Sequence, residues 1–216
     1  MSAKLITLIL IDDHPVVRAG YRYFLESTKE ILVLAEAGDG ETGCVLYQEH
    51  QPDMAIIDIN MPGIGGLETI HRIKSKIPTA NILALSMHSS EIMVKRALDM
   101  GATGYLTKQC NPEQLLEAVR QISQGEPYID AKLASNMLSD RAQGKGDKHP
   151  LHILSQREFQ LFTLLAEGNS VQQIAAIISI SPKTVGVHHA SIMKKLGLQN
   201  TVQLVRLAID CGLIRV

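Results

Sequence analysis

Three carboxylates stand where short apolar runs of this sequence end. Asp12 and Asp13 follow the run from Leu5 to Ile11, and Asp58 follows the run from Met54 to Ile57, just before Pro and Gly break the chain. A single acid in such a position is usually a turn residue. Three acids at the ends of neighbouring strands would instead repel one another unless a cation lay among them. The group therefore indicates a site for a divalent cation.

A hydroxyl and an ammonium group follow two later apolar runs. Ser86 ends the run that begins at Asn81, and Lys108 comes two residues after Leu106. A carboxylate can act as a nucleophile toward a phosphoryl group, and a Lys together with a hydroxyl can hold the oxygens of the transferred group. With the three acids, these residues predict one site that accepts a phosphoryl group.

Such a site needs strands that end at a common edge. Apolar runs alternate with segments of helical spacing five times: strands are predicted over 5–11, 31–37, 54–57, 81–85 and 104–106, and helices over 15–26, 41–49, 67–76, 91–100 and 112–124. The alternation predicts an α/β doubly wound, five-stranded parallel sheet, in which ligands bind beyond the carboxyl ends of the strands. All five reactive residues fall at that edge.

The charge of the chain is divided unequally between its two parts. Residues 1–130 hold 11 Lys and Arg against 17 Asp and Glu, whereas residues 131–216 hold 10 against 5. The basic second part is compatible with a polyanionic partner. The first apolar run is too short for a signal peptide and no later run approaches the length of a membrane span, so we expect a cytoplasmic protein without a membrane partner.

A change of composition separates two domains. Residues 140–150 carry two glycines, a proline and several charges, which is typical of an exposed connector, and a short helix is predicted before it over 131–138. We therefore expect a phosphoacceptor domain at residues 1–126, a linker at 127–150 and a small all-α domain at 151–216.

Capping signals divide the second domain into four helices. Ser155 and Ser170 each precede a Glu or Gln by three residues, Ser181 precedes a proline, and Asn200 opens the last segment. Only three residues separate the second and third helices, which is typical of a helix-turn-helix.

The third of these helices has a face suited to the DNA major groove. A buried stripe is predicted at Val185, His188, Ile192 and Leu196, and the remaining face is small, polar or basic. The first residues of such a helix approach base edges, and its lysines neutralise phosphates. The residues predicted to contact DNA are Lys183, Thr184, Gly186, Val187, His189, Ala190, Ser191, Lys194 and Lys195.

The motifs of the first domain resemble those of a response-regulator receiver domain of the CheY-like fold. The matching segments are Ile-Asp12-Asp13-His-Pro, Asp58-Ile-Asn60-Met-Pro-Gly, Ala-Leu-Ser86-Met-His and Tyr105-Leu-Thr-Lys108. The resemblance implies that Asp58 is the phosphoacceptor. It also implies that Asp13 and Asp58 bind Mg²⁺ with the backbone carbonyl of Asn60, and that Asp12 assists through water.

The same resemblance implies roles for three further residues. Ser86 would bond to the phosphoryl group, and Lys108 would pair with it. Tyr105 would report the change by turning inward.

The second domain resembles the LuxR-type helix-turn-helix of the NarL/FixJ family. The matching segments are Leu154-Ser-Gln-Arg-Glu158, Ala166-Glu-Gly168-Asn-Ser170, Gln173-Ile-Ala175, Ser181-Pro-Lys-Thr184-Val185, Val187-His188 and Ile192-Met-Lys-Lys-Leu196-Gly197. Family members often carry basic residues where this chain has Gly186 and His189. Gly186 costs up to about 1 kcal/mol of helix propensity relative to Ala. Either it permits a close approach to DNA or it has drifted.

Together the two resemblances imply a two-component response regulator. A sensor histidine kinase would phosphorylate Asp58, and the phosphorylated form would bind promoter DNA as a homodimer. Apart from its own phosphoryl transfer and dephosphorylation, we expect no enzymatic activity. In the alternative, the receiver is only a docking or dimerisation module, but the complete acidic set argues against this.

Overall fold

The computed structural model describes residues 5–87, 90–131, 133–135 and 150–214. The chain forms two compact units, whose main parts are residues 5–87 with 95–130, and residues 150–214. The domain boundaries after residues 126 and 150 stay a prediction.

Six parallel strands form the sheet of the first unit, in the order β2-β1-β3-β4-β5-β6. They are β1 (Ile6–Ile11), β2 (Ile31–Ala37), β3 (Met54–Asp58), β4 (Ile82–Ser86), β5 (Gly104–Thr107) and β6 (Tyr128–Ile129). The order turns back at β1, which pairs with both β2 and β3. In an open α/β sheet, the crevice beside such a reversal is where ligands bind. Asp12 directly follows β1, and Asp58 is the last residue of β3.

Five helices alternate with the strands, as the sequence predicts. They are α1 (Pro15–Ser27), α2 (Gly40–His50), α3 (Gly65–Lys76), α4 (Glu91–Asp99) and α5 (Pro112–Ser123). The sixth strand was not predicted. β6 pairs in parallel with β5 through Gly104↔Tyr128 and Tyr105↔Ile129, and two residues are too few to show a strand periodicity. The doubly wound fold is thus confirmed with one additional edge strand.

Buried apolar residues fix the strand ends in place. Leu8 and Leu10 of β1, Met54 and Ile56 of β3 and Leu83 of β4 share one core cluster with apolar residues of α5. Because these strands are buried, the backbone at their carboxyl ends has little freedom.

Gly66 lets α3 begin directly against the backbone that follows Asp58. A Cβ at this residue would lie 2.0 Å from the Asp58 carbonyl oxygen, and the Gly66 N–H donates to the Ile59 carbonyl at 3.1 Å. Any side chain here would push α3 away from Asp58.

Within residues 150–214, the second unit contains a short 3₁₀ helix (Pro150–Ile153) and four α-helices. The α-helices are α6 (Gln156–Ala166), α7 (Val171–Ile177), α8 (Pro182–Leu196) and α9 (Thr201–Asp210). The capping boxes at Ser155 and Ser170 are both complete, and the side chains of Ser181 and Asn200 cap α8 and α9. The four predicted helix starts are therefore confirmed.

The segment between the two units lies largely outside the described residues. Ala131 and residues 133–135 are helical, in agreement with the start of the predicted linker helix. The rest of that helix and the predicted flexible stretch fall among residues 136–149. Among the described helices, none has the length and apolar character needed to cross a membrane.

Candidate functional site

Lys108 holds the two carboxylates at the ends of β1 and β3. Its Nζ lies 2.7 Å from Oδ2 of Asp12 and 2.7 Å from Oδ2 of Asp58. The side chains of Lys108, Asp12 and Asp58 are only 9%, 5% and 1% exposed. Water therefore screens these charges little. One ammonium group between two carboxylates leaves a net negative charge in the site.

Burial and mutual contact together determine the pKa values of Asp58 and Lys108. Burial raises the pKa of the Asp58 carboxyl, the hydrogen bond and charge of Lys108 oppose that rise, and the nearby Asp12 adds to it; the net pKa is raised. Burial favours a neutral Lys108, but its hydrogen bonds to Asp12 and Asp58 outweigh burial and raise its pKa. Lys108 is thus a fixed cation.

A third carboxylate completes a cluster that can hold a cation. One potential ligand atom from each of Asp12, Asp13, His14 and Asp58 lies within 4.8 Å of the others. Oδ1 of Asp13 is buried and accepts no hydrogen bond from the described part of the chain. His14 Nδ1 lies 2.9 Å from this oxygen, so an imidazole nitrogen adjoins the three carboxylates. The donor set is rich in oxygen, so it fits the hard divalent cation that the sequence predicts.

A chain of polar contacts runs from Asp58 to Tyr105. The Asn60 N–H donates to Oδ1 of Asp58 at 3.0 Å, and the Ser86 Oγ donates to Oδ1 of Asn60 at 3.1 Å. Tyr105 hydrogen-bonds to Ser86, and burial raises the pKa of its phenol. Ser86 and Tyr105 are both fully buried. The structure therefore brings the predicted hydroxyl and aromatic residues into contact, with the Tyr105 ring already inside.

Arg18 belongs to the surroundings of this site, although the sequence did not indicate it. Its Nη1 donates to the Asp12 carbonyl oxygen, and its Nε lies 3.1 Å from Oε2 of Glu36 on β2. Arg18 therefore ties the end of β1 to its neighbouring strand. Helical spacing shows that Arg18 lies off the apolar stripe of α1, but it does not show which strand residue the side chain meets.

The exposed face of α8 carries most of the residues predicted to contact DNA. Lys183, Thr184, Gly186, Val187, Ala190, Lys194 and Lys195 are exposed. The Val187 side chain is 63% exposed, and a Cβ added at Gly186 would meet no atom within 4 Å. His189 is half-buried, and its Nε2 is buried without a hydrogen-bond partner among the described residues. The middle of the exposed face of α8, at Gly186, Val187 and Ala190, is therefore uncharged and open.

Glu158 of α6 contacts the opposite side of α8. It is 5% exposed, and it accepts hydrogen bonds from Ser191 Oγ at 2.8 Å and from Lys195 Nζ at 2.7 Å. The prediction that Ser191 faces outward is therefore wrong, because its hydroxyl packs against α6. The sequence assigned Glu158 only a capping role, since a contact between two helices cannot be seen from capping signals.

The same contacts determine the pKa of Glu158. Burial alone would raise it, but Lys195, the Ser155 N–H and the Ser191 hydroxyl together lower the pKa to about 2. The carboxylate therefore stays ionised and keeps Lys195 partly neutralised.

Both domains match known protein families. Residues 8–120 match the response regulator receiver domain, and residues 152–208 match the luxR family of bacterial regulatory proteins. The chain is 38% identical over 210 residues to the transcriptional activator protein ExaE of Pseudomonas putida, covering 97% of this chain and 98% of that protein. It is 34% identical over 209 residues to the response regulator UvrY of Escherichia coli K12, covering 97% and 96%.

A solved structure is similar over almost the whole length. RcsB from Salmonella enterica serovar Typhimurium, bound to promoter rprA in the presence of phosphomimetic BeF3−, is 29% identical; the match covers 94% of this chain and 98% of that chain, with a TM-score of 0.68. The fold and both sites thus define a two-component response regulator with a DNA-binding output domain. The chain belongs to the NarL/FixJ family of these transcription regulators.

Replacement of Glu158 by Gln tests whether its charge stabilises the helix-turn-helix unit. Gln keeps the capping box but loses the charged hydrogen bonds, so we expect a loss of about 2 kcal/mol in the free energy of unfolding. The folded pKa of about 2 lies below the usual 4.5. The difference in the free energy of unfolding between wild type and variant should therefore be largest above pH 4.5 and should disappear as the pH falls toward 2. Denaturant unfolding at several pH values measures it.

Two lysine variants provide the controls for this measurement. Lys195→Met should destabilise the wild type but add little to Glu158→Gln, because the two residues share one interaction. Lys194→Met removes an equal charge from an exposed neighbour and should change stability little. A pH-independent loss in Glu158→Gln would contradict a role for the carboxylate charge.

Proposed function

We propose that the protein accepts a phosphoryl group on Asp58 from a sensor histidine kinase, and that the phosphorylated form binds promoter DNA through α8 as a homodimer. The main support is the contact of Lys108 with both Asp12 and Asp58. Through this contact, the proposed nucleophile Asp58, its counter-ion Lys108 and the proposed cation site lie together at one edge of the sheet. The DNA-binding domain also supports a cytoplasmic location.

In this proposal the Asp58 carboxylate is the nucleophile toward phosphorus. Two donors, the Asn60 N–H on Oδ1 and Lys108 Nζ on Oδ2, orient the carboxylate toward the crevice. Burial raises the pKa of Asp58, and a poorly solvated carboxylate is a stronger nucleophile than a hydrated one. The leaving group is the imidazole of the kinase histidine.

Mg²⁺ would be held by Asp13, Asp58 and the Asn60 carbonyl, with Asp12 behind a water, and when bound it would neutralise charge on the phosphoryl oxygens. Asp13 fits this role because its buried Oδ1 accepts no hydrogen bond from the described residues. Lys108 supplies the second positive charge. The same groups would orient a water molecule for dephosphorylation, so the receiver would catalyse both steps on itself.

Phosphorylation would change the charge balance around Lys108 and Ser86. A phosphoryl group brings roughly two negative charges and three acceptor oxygens. Lys108 would move its hydrogen bond from Asp12 to these oxygens. Ser86 would turn its hydroxyl from Asn60 to the same group, which would change its hydrogen bond with Tyr105. The polar chain from Asp58 to Tyr105 is the proposed switch.

On the output side, α8 would enter the major groove with its exposed face. Lys183 and Lys194 would neutralise phosphates, since both are exposed, whereas Lys195 already has Glu158 as its partner. Val187 would contact thymine methyl groups. A base contact by His189 requires that its ring turn outward from the present half-buried position. The domain boundaries 1–126, 127–150 and 151–216 belong to this proposal.

Replacement of Asp58 by Asn should abolish phosphorylation. Wild-type protein incubated with labelled acetyl phosphate and Mg²⁺ should incorporate up to one phosphoryl group per chain, and Asp58→Asn should incorporate none, because an amide is not a nucleophile of this kind. Asp53→Asn is the matched control. Asp53 precedes the same strand at its opposite end and accepts hydrogen bonds from Thr7, so labelling should persist. Equal labelling of Asp58→Asn and wild type would exclude Asp58 as the acceptor.

Two α8 variants should affect DNA binding in different ways. Lys183→Ala should weaken binding to all sequences and lower the salt dependence by about one counterion, because it removes a phosphate contact. Val187→Ala should change sequence preference by about 1 kcal/mol at one base pair. Binding to a randomised DNA library at several salt concentrations measures both.

Arg206→Ala on α9 serves as the control for this pair. It removes one exposed positive charge from the same unit but from outside α8, so it should leave sequence preference unchanged. Unaltered DNA affinity in both α8 variants would exclude α8 as the recognition helix.

A further inference from the structure

The imidazole of His14 lies against the acidic pair at the end of β1. Its Nδ1 is 2.9 Å from Oδ1 of Asp13 and 3.4 Å from Oδ1 of Asp12. The shorter contact is not aligned as a hydrogen bond, since Asp13 Oδ1 has no hydrogen-bond partner among the described residues. The imidazole nitrogen and the carboxylate oxygens are therefore in direct contact.

The fold does not require this side chain. His14 is the N-cap residue of α1, but its side chain makes no capping hydrogen bond. Its backbone N–H donates to Oδ1 of Asp12 at 2.8 Å, which fixes the loop whatever the side chain is. The imidazole is 63% exposed, so it contributes little to the core. Packing and capping thus give no reason for its position beside the acids.

The measured separations suit ligands of a common metal ion. In an octahedral site with metal-ligand distances of about 2.1 Å, neighbouring ligand atoms lie about 3.0 Å apart and opposite ones about 4.2 Å. The 2.9 Å between His14 Nδ1 and Asp13 Oδ1 is near the neighbouring value. The potential ligand atoms of Asp13, His14 and Asp58 lie within 4.8 Å of one another, and Asp12 lies close enough to act through a water. Small shifts would complete the coordination.

We propose that His14 Nδ1 is a direct ligand of the receiver's metal ion, and that the site therefore prefers divalent transition metals over Mg²⁺. This inference rests on the proposed metal site and adds a nitrogen to its oxygen ligands. Imidazole binds first-row transition metals well, whereas Mg²⁺ takes oxygen ligands and keeps its waters. With His14 as a ligand, Mn²⁺ and Co²⁺ form a bond to the imidazole nitrogen that is stronger than the one Mg²⁺ forms.

Pulsed electron paramagnetic resonance of the Mn²⁺-loaded full chain tests the nitrogen ligand. The protein must carry no oligohistidine tag, because such a tag binds the same ions. Wild-type protein should show the ¹⁴N modulation of a directly bound imidazole. His14→Phe, which keeps a planar ring and removes both nitrogens, should bind Mn²⁺ without this modulation. His71→Phe, at an exposed position of α3, should keep it.

Metal competition gives a second, independent readout. The ratio of the Co²⁺ and Mg²⁺ affinities should fall about tenfold in His14→Phe and stay unchanged in His71→Phe. Mn²⁺ bound to wild-type protein without ¹⁴N modulation, or with modulation that survives in His14→Phe, would overturn the role of His14 and leave the oxygen site intact. Failure of wild-type protein to bind any of the three ions would overturn the metal site itself.

Discussion

The ammonium group of Lys108 is the interaction on which the receiver site depends. Two carboxylates buried at adjacent strand ends would repel each other strongly, and one of them would be protonated at neutral pH. Lys108 lies 2.7 Å from both and allows them to share one positive charge. A net negative charge remains, and Oδ1 of Asp13 accepts no hydrogen bond from the described residues. Both features support the proposed cation site. In the proposed mechanism, a bound metal ion or a phosphoryl group on Asp58 would change the net charge of the site.

The sheet provides the geometry that this interaction requires. Residues of β1 and β3 pair in register from Leu8↔Met54 to Ile11↔Ile57, so Asp12 and Asp58 leave the sheet side by side. Lys108 follows β5, two strands away from β3, and its long side chain reaches back across the edge. The core cluster beneath the strands fixes these positions.

Local signals in the sequence were enough to predict most of this arrangement. Apolar runs located the strand ends, and therefore Asp12, Asp58 and Lys108, because a buried parallel strand is recognisable over a few residues. Capping boxes located α6 and α7 because both halves of the box lie three residues apart. β6 escaped detection because two residues carry no periodicity. Arg18 with Glu36, and Ser191 with Glu158, escaped because each pair joins elements distant in sequence.

The second unit also contains a buried carboxylate that holds a cationic and a polar side chain in place. Glu158 on α6 binds Ser191 and Lys195 of α8. This contact orients α8 from its packed side and leaves Lys183, Val187 and Lys194 exposed on the other side. The contact that the sequence did not show changes the interpretation of α8, since it separates the residues that pack α8 against α6 from those on its exposed face.

The most direct test of the role of Lys108 is a crystal structure of the full chain with Mg²⁺ and beryllofluoride, which mimics a phosphoryl group on Asp58. If Lys108 and Ser86 serve the phosphorylated state, their Nζ and Oγ should lie within hydrogen-bond distance of fluorine atoms on Asp58, and Ser86 should no longer donate to Asn60. Asp58 without beryllofluoride at saturating concentration, or Lys108 still shared by Asp12 and Asp58 alone, would contradict the proposed switch.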